Sequence, residues 1–471
     1  MPGSVNLQNE ISMEGEGNDW LCNHSNIPTE LRSLMDDKGH PIKKKSPREV
    51  TCGKVSPILR NRERSKHYYD PMVASFGPYH HGKPELQEAE TLKTEIMLQF
   101  IAESHKPIME FYSKVREMNR DIRACYVDGS TDEYCDNKFA LMMLRDGCLI
   151  LHIIDITVNL KGDETFVLAQ REGILRLHYL VRDMILLENQ IPFRVLDVLM
   201  SLRYEEKVGL RMIKKFIYLL SWGISPKKVT GDEDKKPLHV NHLLDFIQKE
   251  FSKEGGQSQK PQVIEGPHDK DYIPSFGSVG ELKAKGIHFK SNNSSSLCLS
   301  KKIKKSLSLR DVEFKSGFFY GELKLPPLIL HSNTIILYTN LVAFELGPPI
   351  IEDLVITSYI NFLNTLIDNP NDVKELRSKR ILFNNLGSDE EVVQMFREFA
   401  TYWPNLLLYQ SVTGDIEKHI NSNIRTWIAD IISKYFSNPW SAIGLIAAII
   451  VIGLSALQTY FNINPVKDKC S

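Results

Sequence analysis

The chain has 471 residues, of which 42% are hydrophobic and 25% charged, and its formal net charge is -1. This is enough apolar material for a sizeable core, at the charge content of an ordinary globular protein. The near-zero charge excludes a global field that would gather nucleic acid, so partners have to be selected by local patches.

Seven cysteines (22, 52, 125, 135, 148, 298 and 470) are scattered without any Cys-x-x-Cys spacing. Neither a zinc ribbon nor a thioredoxin-type motif is present, and the expectation is reduced thiols in the cytosol. The first nineteen residues carry Glu10, Glu14, Glu16 and Asp19 but no Lys or Arg and no apolar run, so they do not form a secretory signal.

In chain order, residues 1–48 are polar and end in Lys43–Lys45 beside Pro47; a disordered segment is expected. A globular body is expected over 49–436, helical over 50–250. Pro84 opens a segment with Leu86, Ala89, Ile96, Phe100 and Ile101 at helical spacing. Pro107 opens another, with Ile108, Phe111, Val115, Met118, Ile122 and Cys125 on one face. Residues 138–156 are apolar on several sides, which marks a helix central to the core. Residues 173–200 continue the helical pattern until Pro192, which should kink or end it, and a short helix is expected over 241–251.

Residues 252–272 and 291–306 are rich in Ser, Gly, Gln and Lys and read as loops. The pattern over 273–436 is mixed α/β. Residues 286–290, 307–314 and 321–330 suggest a small sheet, and helices return at 335–346, 354–367, 390–399 and 416–436. The fold class expected is mainly α: an α-rich body with a small β-sheet in its second half, followed by one transmembrane helix.

That last helix is read from 440–461, a run without Asp, Glu, Lys or Arg in which Trp440, Ile443, Leu445, Ile449, Ile452, Leu457 and Phe461 would face lipid. Arg425 and Lys434 before it balance Lys467 and Lys469 after it, so charge does not orient it. The absent signal and the short tail 462–471 favour a cytosolic body with lipid contact through 440–461, the plasma membrane being the favoured site.

The search for chemistry finds no P-loop, His-Glu-x-x-His, Gly-x-Ser-x-Gly or kinase signature. Adjacent His80 and His81 sit in a turn built by Gly77, Pro78, Tyr79 and Gly82; neighbouring side chains point apart, which argues against a shared metal. His239 and His242 lack a matching carboxylate or cysteine and read as capping residues. Glu188, Asn189 and Gln190 lie inside an apolar stretch closed by Pro192, and if buried they need partners. A buried Glu188 could serve as a general acid or base; the plainer expectation is a polar network that fixes packing, with Arg123 or Arg182 as ion partner. The same holds for Asp146, Gly147 and Cys148. An enzyme would have to draw on Glu188, His80, His81 and Asp146 converging in one pocket. No cofactor or metal is expected, and nucleic-acid binding through Lys43–Lys45 and Lys301–Lys305 is disfavoured for want of aromatic interleaving.

Several of these strings occur together in one family. Residues 75–82 (SFGPYHHG), 123–126 (RACY, with Arg123 and Tyr126), 141–154, 183–196 (DMILLENQIPFRVL), 242–245, 273–290 and 340–345 (NLVAFE, with Asn340 and Glu345) stand in a collinear order. The chain thereby resembles the plant domain of unknown function 247, also called uncharacterised protein family 0481. Leu149 replaces the usual Phe after Asp-Gly-Cys, and Phe76 the usual Ile before Gly-Pro-Tyr. The resemblance implies a plant protein with a C-terminal hydrophobic helix and no established catalytic residues. Some relatives are linked to self-incompatibility and others to growth or stress. The expected function is a membrane-anchored recognition or signalling module that binds a protein partner through the loops 255–272 and 291–306.

Overall fold

The computed structural model describes residues 50–61, 66–159, 173–222, 237, 239–253, 276–292, 308–318, 320–348, 353–399, 402, 404–421 and 439–463. The expected disordered segment 1–48, nearly all of the loops 252–272 and 291–306, residues 422–436 of the expected helix 416–436, and the tail beyond 463 lie outside the described residues. All described residues belong to one unit, Val50–Ser471.

After a 3-10 turn at Pro84–Leu86 comes α1 (Gln87–Ala102), then α2 (Ile108–Glu117), each entered through its expected proline. The longest helix of the body, α3 (Asp136–Val158), lies where its all-round apolarity places it. Phe139, Ala140, Cys148 and Leu149 are buried on different sides of it, and it packs against α1, α2, α5 (Phe193–Arg203) and α6 (Val208–Trp222). Between α3 and α5 runs α4 (Ile174–Asp183).

The helix expected over 173–200 is thus corrected. It stops at Asp183, residues 184–192 are irregular and buried, and Pro192 is the N-cap of α5 rather than a break within a helix. The cause is local: Glu188, Asn189 and Gln190 turn their side chains onto backbone groups and offer the chain an alternative to helical bonding. Helix α6, with its stripe of Val208, Met212, Phe216 and Leu220, falls inside the stretch 50–250 expected to be helical, with no bounds of its own there.

The second half begins with α7 (Leu243–Phe251) and continues through two small sheets. In the first, β1 (Ile287–Ser291) pairs in parallel with β3 (Gly321–Leu325), which pairs antiparallel with β2 (Glu313–Ser316). In the second, β4 (Leu328–Leu330) pairs in parallel with β5 (Leu382–Asn384). Pro326 and Pro327 separate β3 from β4, since neither has an N–H to donate to a ladder. The expected strand 307–314 shrinks to its last two residues.

Helices α8 (Ser332–Glu345), α9 (Val355–Leu366), α10 (Pro370–Ser378) and α11 (Asp389–Phe399) complete the core, and α12 (Gln410–Ile420) closes over β2. Contacts of α8 with α4, α7 and α9 join the two halves into one core. Glu345, the last residue of α8, is buried. It accepts from the backbone N–H of Ile356 (3.0 Å) and Thr357 (2.9 Å), the Thr357 hydroxyl (2.8 Å) and the Gln248 amide (3.2 Å). One carboxylate thus satisfies orphan donors at the start of α9 and ties α7 to α8.

The last helix, α13, spans Pro439–Ile463. Among the described residues no helix is long and apolar enough to cross a membrane, so the expected transmembrane helix over 440–461 is corrected. The physical reason lies in the span of the apolar run. Uninterrupted by a polar side chain it covers only 442–454, and Ser455, Gln458, Thr459 and Asn462 follow. That run rises about 20 Å, against the roughly 30 Å of a bilayer core. Ile443, Ile449, Ile452 and Leu457 are exposed on α13; the side chains of Trp440, Leu445 and Phe461 lie outside the described residues.

Replacing Glu345 with Ala leaves the amides of Ile356 and Thr357 buried without an acceptor, and should cost roughly 3 kcal/mol. The expected result is a clear drop in thermal midpoint, with Glu345→Gln, which keeps one acceptor oxygen, intermediate between the two.

Candidate functional site

Residues 69–83 form neither helix nor strand yet are largely buried, so their amides need acceptors from elsewhere. Side chains on the 183–190 segment supply them. The buried Asp183 carboxylate accepts from the N–H of Met72 (3.1 Å), Val73 (2.7 Å) and Ala74 (3.0 Å) and pairs with Arg182 (2.8 Å). Asn189 accepts from Phe76 N–H (2.6 Å) and donates to the carbonyls of Ala74 and Asp183 (both 2.9 Å). Asp146, from the middle of α3, accepts from Gly77 N–H (2.8 Å).

Beneath this strap lies a chain of charges. Lys93, wholly buried on α1, places its ammonium 2.7 Å from Asp146 and 2.6 Å from Glu90; His81 Nδ1 is 3.6 Å from Glu90. Burial pushes the Asp146 carboxyl up while the Lys93 charge opposes the shift. Against the cost of its own burial, Glu90 is held down to about 2 by the neighbouring His81 and Lys93.

A second chain involves Glu188. Its carboxylate accepts from Val55 N–H (2.8 Å) and pairs with Arg60 (2.6 Å), which also holds Asp70 (2.9 Å). The expected partners of Glu188 are engaged elsewhere. Arg182 serves Asp183 and the carbonyls of His67 and Asp70. Arg123 serves the carbonyls of Thr131 and Tyr134 and lies over the Phe139 ring. His80 Nε2 stands 3.7 Å from Glu188, and neither ring nitrogen of this buried histidine makes a hydrogen bond. Burial, with the Lys83 charge in support, lowers its pKa to about 4.

The remaining motif residues are structural. Gly77 has φ +77, and a Cβ there would stand 2.7 Å from the Gln190 carbonyl and 2.9 Å from the Tyr126 hydroxyl. The Tyr126 hydroxyl donates to that same carbonyl (3.1 Å). The Tyr79 hydroxyl donates to Cys52 O (2.5 Å) and accepts from Val127 N–H (3.1 Å). Gln190 closes the irregular segment, donating to Met184 O and Leu186 O (both 2.8 Å) and accepting from Leu244 N–H (3.1 Å). Asn340 accepts from Leu187 N–H (2.8 Å) and donates to Tyr68 O (2.9 Å). Cys148 is buried in apolar surroundings that push its thiol up. Pro78 and Gly82 shape the turn, Gly82 with φ +82. Gly147 lets α5 approach α3, since a Cβ would stand 2.5 Å from a Leu199 methyl.

His80 and His81 therefore face different carboxylates, and the four groups an enzyme would need are divided between two chains. Among the described residues no group of three or more His, Cys, Asp or Glu could hold a metal ion. A groove of about 380 Å³ is lined by Ile108, Met109, Tyr112 and Leu141 among others and by none of these four groups. Of the predicted helix pair, His242 caps α7, accepting from Asp245 N–H (3.1 Å), while His239 sits in a turn with φ 50. Lys93 and Asp183 were missed as site residues. The signal for Lys93 was a cation interrupting the apolar row Ala89, Ile96 and Phe100; Asp183 carried no signal of its own.

A family described as "Plant protein of unknown function", DUF247, matches residues 53–454. The chain belongs to this family. UPF0481 protein At3g47200 of Arabidopsis thaliana is 27% identical to this DUF247 chain, over 83% of the chain and 82% of the relative. Putative UPF0481 protein At3g02645, from the same plant, is 22% identical over 83% of the chain and 86% of the relative. No solved structure matches. Of the strings that carried the resemblance, 75–82, 141–154 and 183–196 in this DUF247 chain contribute to the strap and its charge chains, while Arg60, Asp70, Glu90 and Lys93 lie outside all of them.

Two predictions follow from the geometry. Lys93→Met strands Asp146 in the core and should cost about 3–5 kcal/mol, whereas Lys93→Met with Asp146→Asn should recover much of the loss in a denaturant titration, because Asn still accepts from Gly77. The second concerns pH. The folded chain keeps His80 and the buried His242 neutral down to about pH 4, while unfolded histidines protonate near 6.5. The contribution of these two histidines to stability is present above pH 6.5 and is lost as pH drops toward 4; His80→Gln with His242→Asn should flatten the thermal-midpoint slope between pH 6.5 and 4.5.

Proposed function

We propose that this chain is a membrane-anchored recognition protein without catalytic chemistry, held at lipid by α13 and presenting its α-rich body to a protein partner. The observation that carries the proposal is the surface of α13. Ile449, Ile450, Val451 and Ile452 are consecutive and all exposed, and at about 100° per residue they cover the whole circumference of the helix. Water is a poor solvent for such a surface, and an acyl phase is a good one. Crossing the bilayer is no part of the proposal, since the apolar run 442–454 suits an interfacial or partly inserted segment.

The non-catalytic half is supported by where the polar side chains are spent. Asp146, Asp183, Glu188 and Asn189 all accept from this chain's own amides, which leaves their lone pairs little capacity for a substrate. The loops proposed to bind the partner, 255–272 and 291–306, lie outside the described residues except for Ser291 and Asn292. An enzyme built around Glu188, His80, His81 and Asp146 draws some support from the unbonded His80 ring beside Glu188, but both groups are buried.

The test is flotation of the full chain with phospholipid vesicles. The chain should rise with lipid, and Ile449→Asp with Ile452→Asp should leave it in the dense fraction. An unsubstituted chain that stays dense overturns the anchoring proposal.

A further inference from the structure

We infer that the groove between α2 and the start of α3 is a binding site for a small amphiphile with a carboxylate head, its acyl chain lying along the apolar wall and its head meeting Arg145. This site is independent of α13 and of the anchoring proposed above. The wall is made by Ile108, Met109, Leu141 and Leu144, and the space is about 380 Å³. That volume falls at the lower end of small-ligand sites. Ile108 is 41% exposed and Met109 63%, so the wall meets solvent, a cost that an acyl chain removes.

The groove follows from how the two helices begin. Pro107 is the N-cap of α2, which puts Ile108 and Met109 in its first turn. One turn further on, the Tyr112 hydroxyl donates to Asn137 Oδ1 (3.0 Å) and bridges α2 to the first turn of α3. The unbranched Met109 side chain adapts readily to an apolar occupant.

The charges along the groove choose the occupant. Lys138, which lines it, stands with Leu141 and Arg145 at i, i+3 and i+7 of α3, so the three share one face. The acids of α2, Glu110 and Glu117, pair with Lys106 and Lys114. Those of α3 up to this point, Asp136 and Asp146, pair with Arg123 and Lys93. Lys138 and Arg145 are left without an acidic partner among the described residues, and Arg145 Nε is buried with no acceptor. A buried N–H without an acceptor carries its full desolvation cost, which a bound carboxylate relieves. A guanidinium meets a carboxylate through two parallel N–H bonds, and the Lys138 ammonium adds attraction from the rim. An apolar wall supplies affinity and a convergent cation fixes orientation. The occupant is accordingly a medium-chain monocarboxylate.

The experiment mixes the full chain with octanoic acid carrying a diazirine at its far carbon and irradiates the mixture. Labelling is read by peptide mass in whichever flotation fraction holds the chain, so failure of the anchor and failure of this site are separable. Adducts should fall on peptides that carry residues 108–112 or 137–144. Excess octanoate should suppress them at least about tenfold more effectively than octanol, which has the same chain length without the charge. Arg145→Met should abolish that preference, and Leu141→Trp, which fills the groove, should abolish the adducts. Equal competition by octanol, adducts confined to α13 or to other surfaces, or a preference that survives in a folded Arg145→Met chain overturns the site. The first two outcomes are read on the unsubstituted chain and need no variant to fold.

Discussion

The acceptor capacity of Asp183 is what the N-terminal half depends on. A strap without regular structure is largely buried against Asp146 of α3 and Lys93 of α1, and buried amides without acceptors would each cost about 1–3 kcal/mol. One carboxylate takes three amides in succession, and Asn189 and Asp146 take those of Phe76 and Gly77. The price is a set of buried charges, and Arg182 and Lys93 answer that need in turn. Apolar packing surrounds the network, but it cannot by itself specify the path of an irregular backbone.

This arrangement explains why polar residues recur inside the most apolar strings of the chain. In an ordinary helix–helix core, Asn189, Gln190 and Asn340 would be liabilities. Here each has both its donor and its acceptor capacity used by backbone groups, and each reaches at least one group of a different segment. The pattern favours uniqueness of structure, because a shifted register would orphan several buried groups at once.

Much of the fold was legible because it rests on periodicity. The prolines at 84 and 107, the all-round apolarity of 138–156 and the β-type residues near 287 and 323 each act locally. What was not legible was long-range pairing. That Glu188 would take Arg60 rather than Arg123 or Arg182, or that 184–192 would leave the helix to serve the strap, depends on residues more than a hundred positions away. Composition exposed the C-terminal helix, yet its span was overstated by counting Ser455, Gln458 and Thr459 as part of one continuous oily stretch. The candidate site was legible as a set of odd residues and illegible as geometry: adjacency in sequence suggested that His80 and His81 belonged together, and the turn separates them onto two carboxylates.

The long reach of the strap's bonds bears on how the protein is made. Ala74 waits for Asp183, 109 residues later, Val55 for Glu188, 133 later, and Tyr68 for Asn340, 272 later. A ribosome adding about 5–20 residues per second leaves this segment without its acceptors for many seconds. The first half cannot reach its final state by vectorial folding from the N-terminus. Its amides stay open to chaperones until residues 183–190 have emerged, and in a nascent chain stalled before Asn340 the Tyr68 carbonyl and the Leu187 amide should still lack their partner.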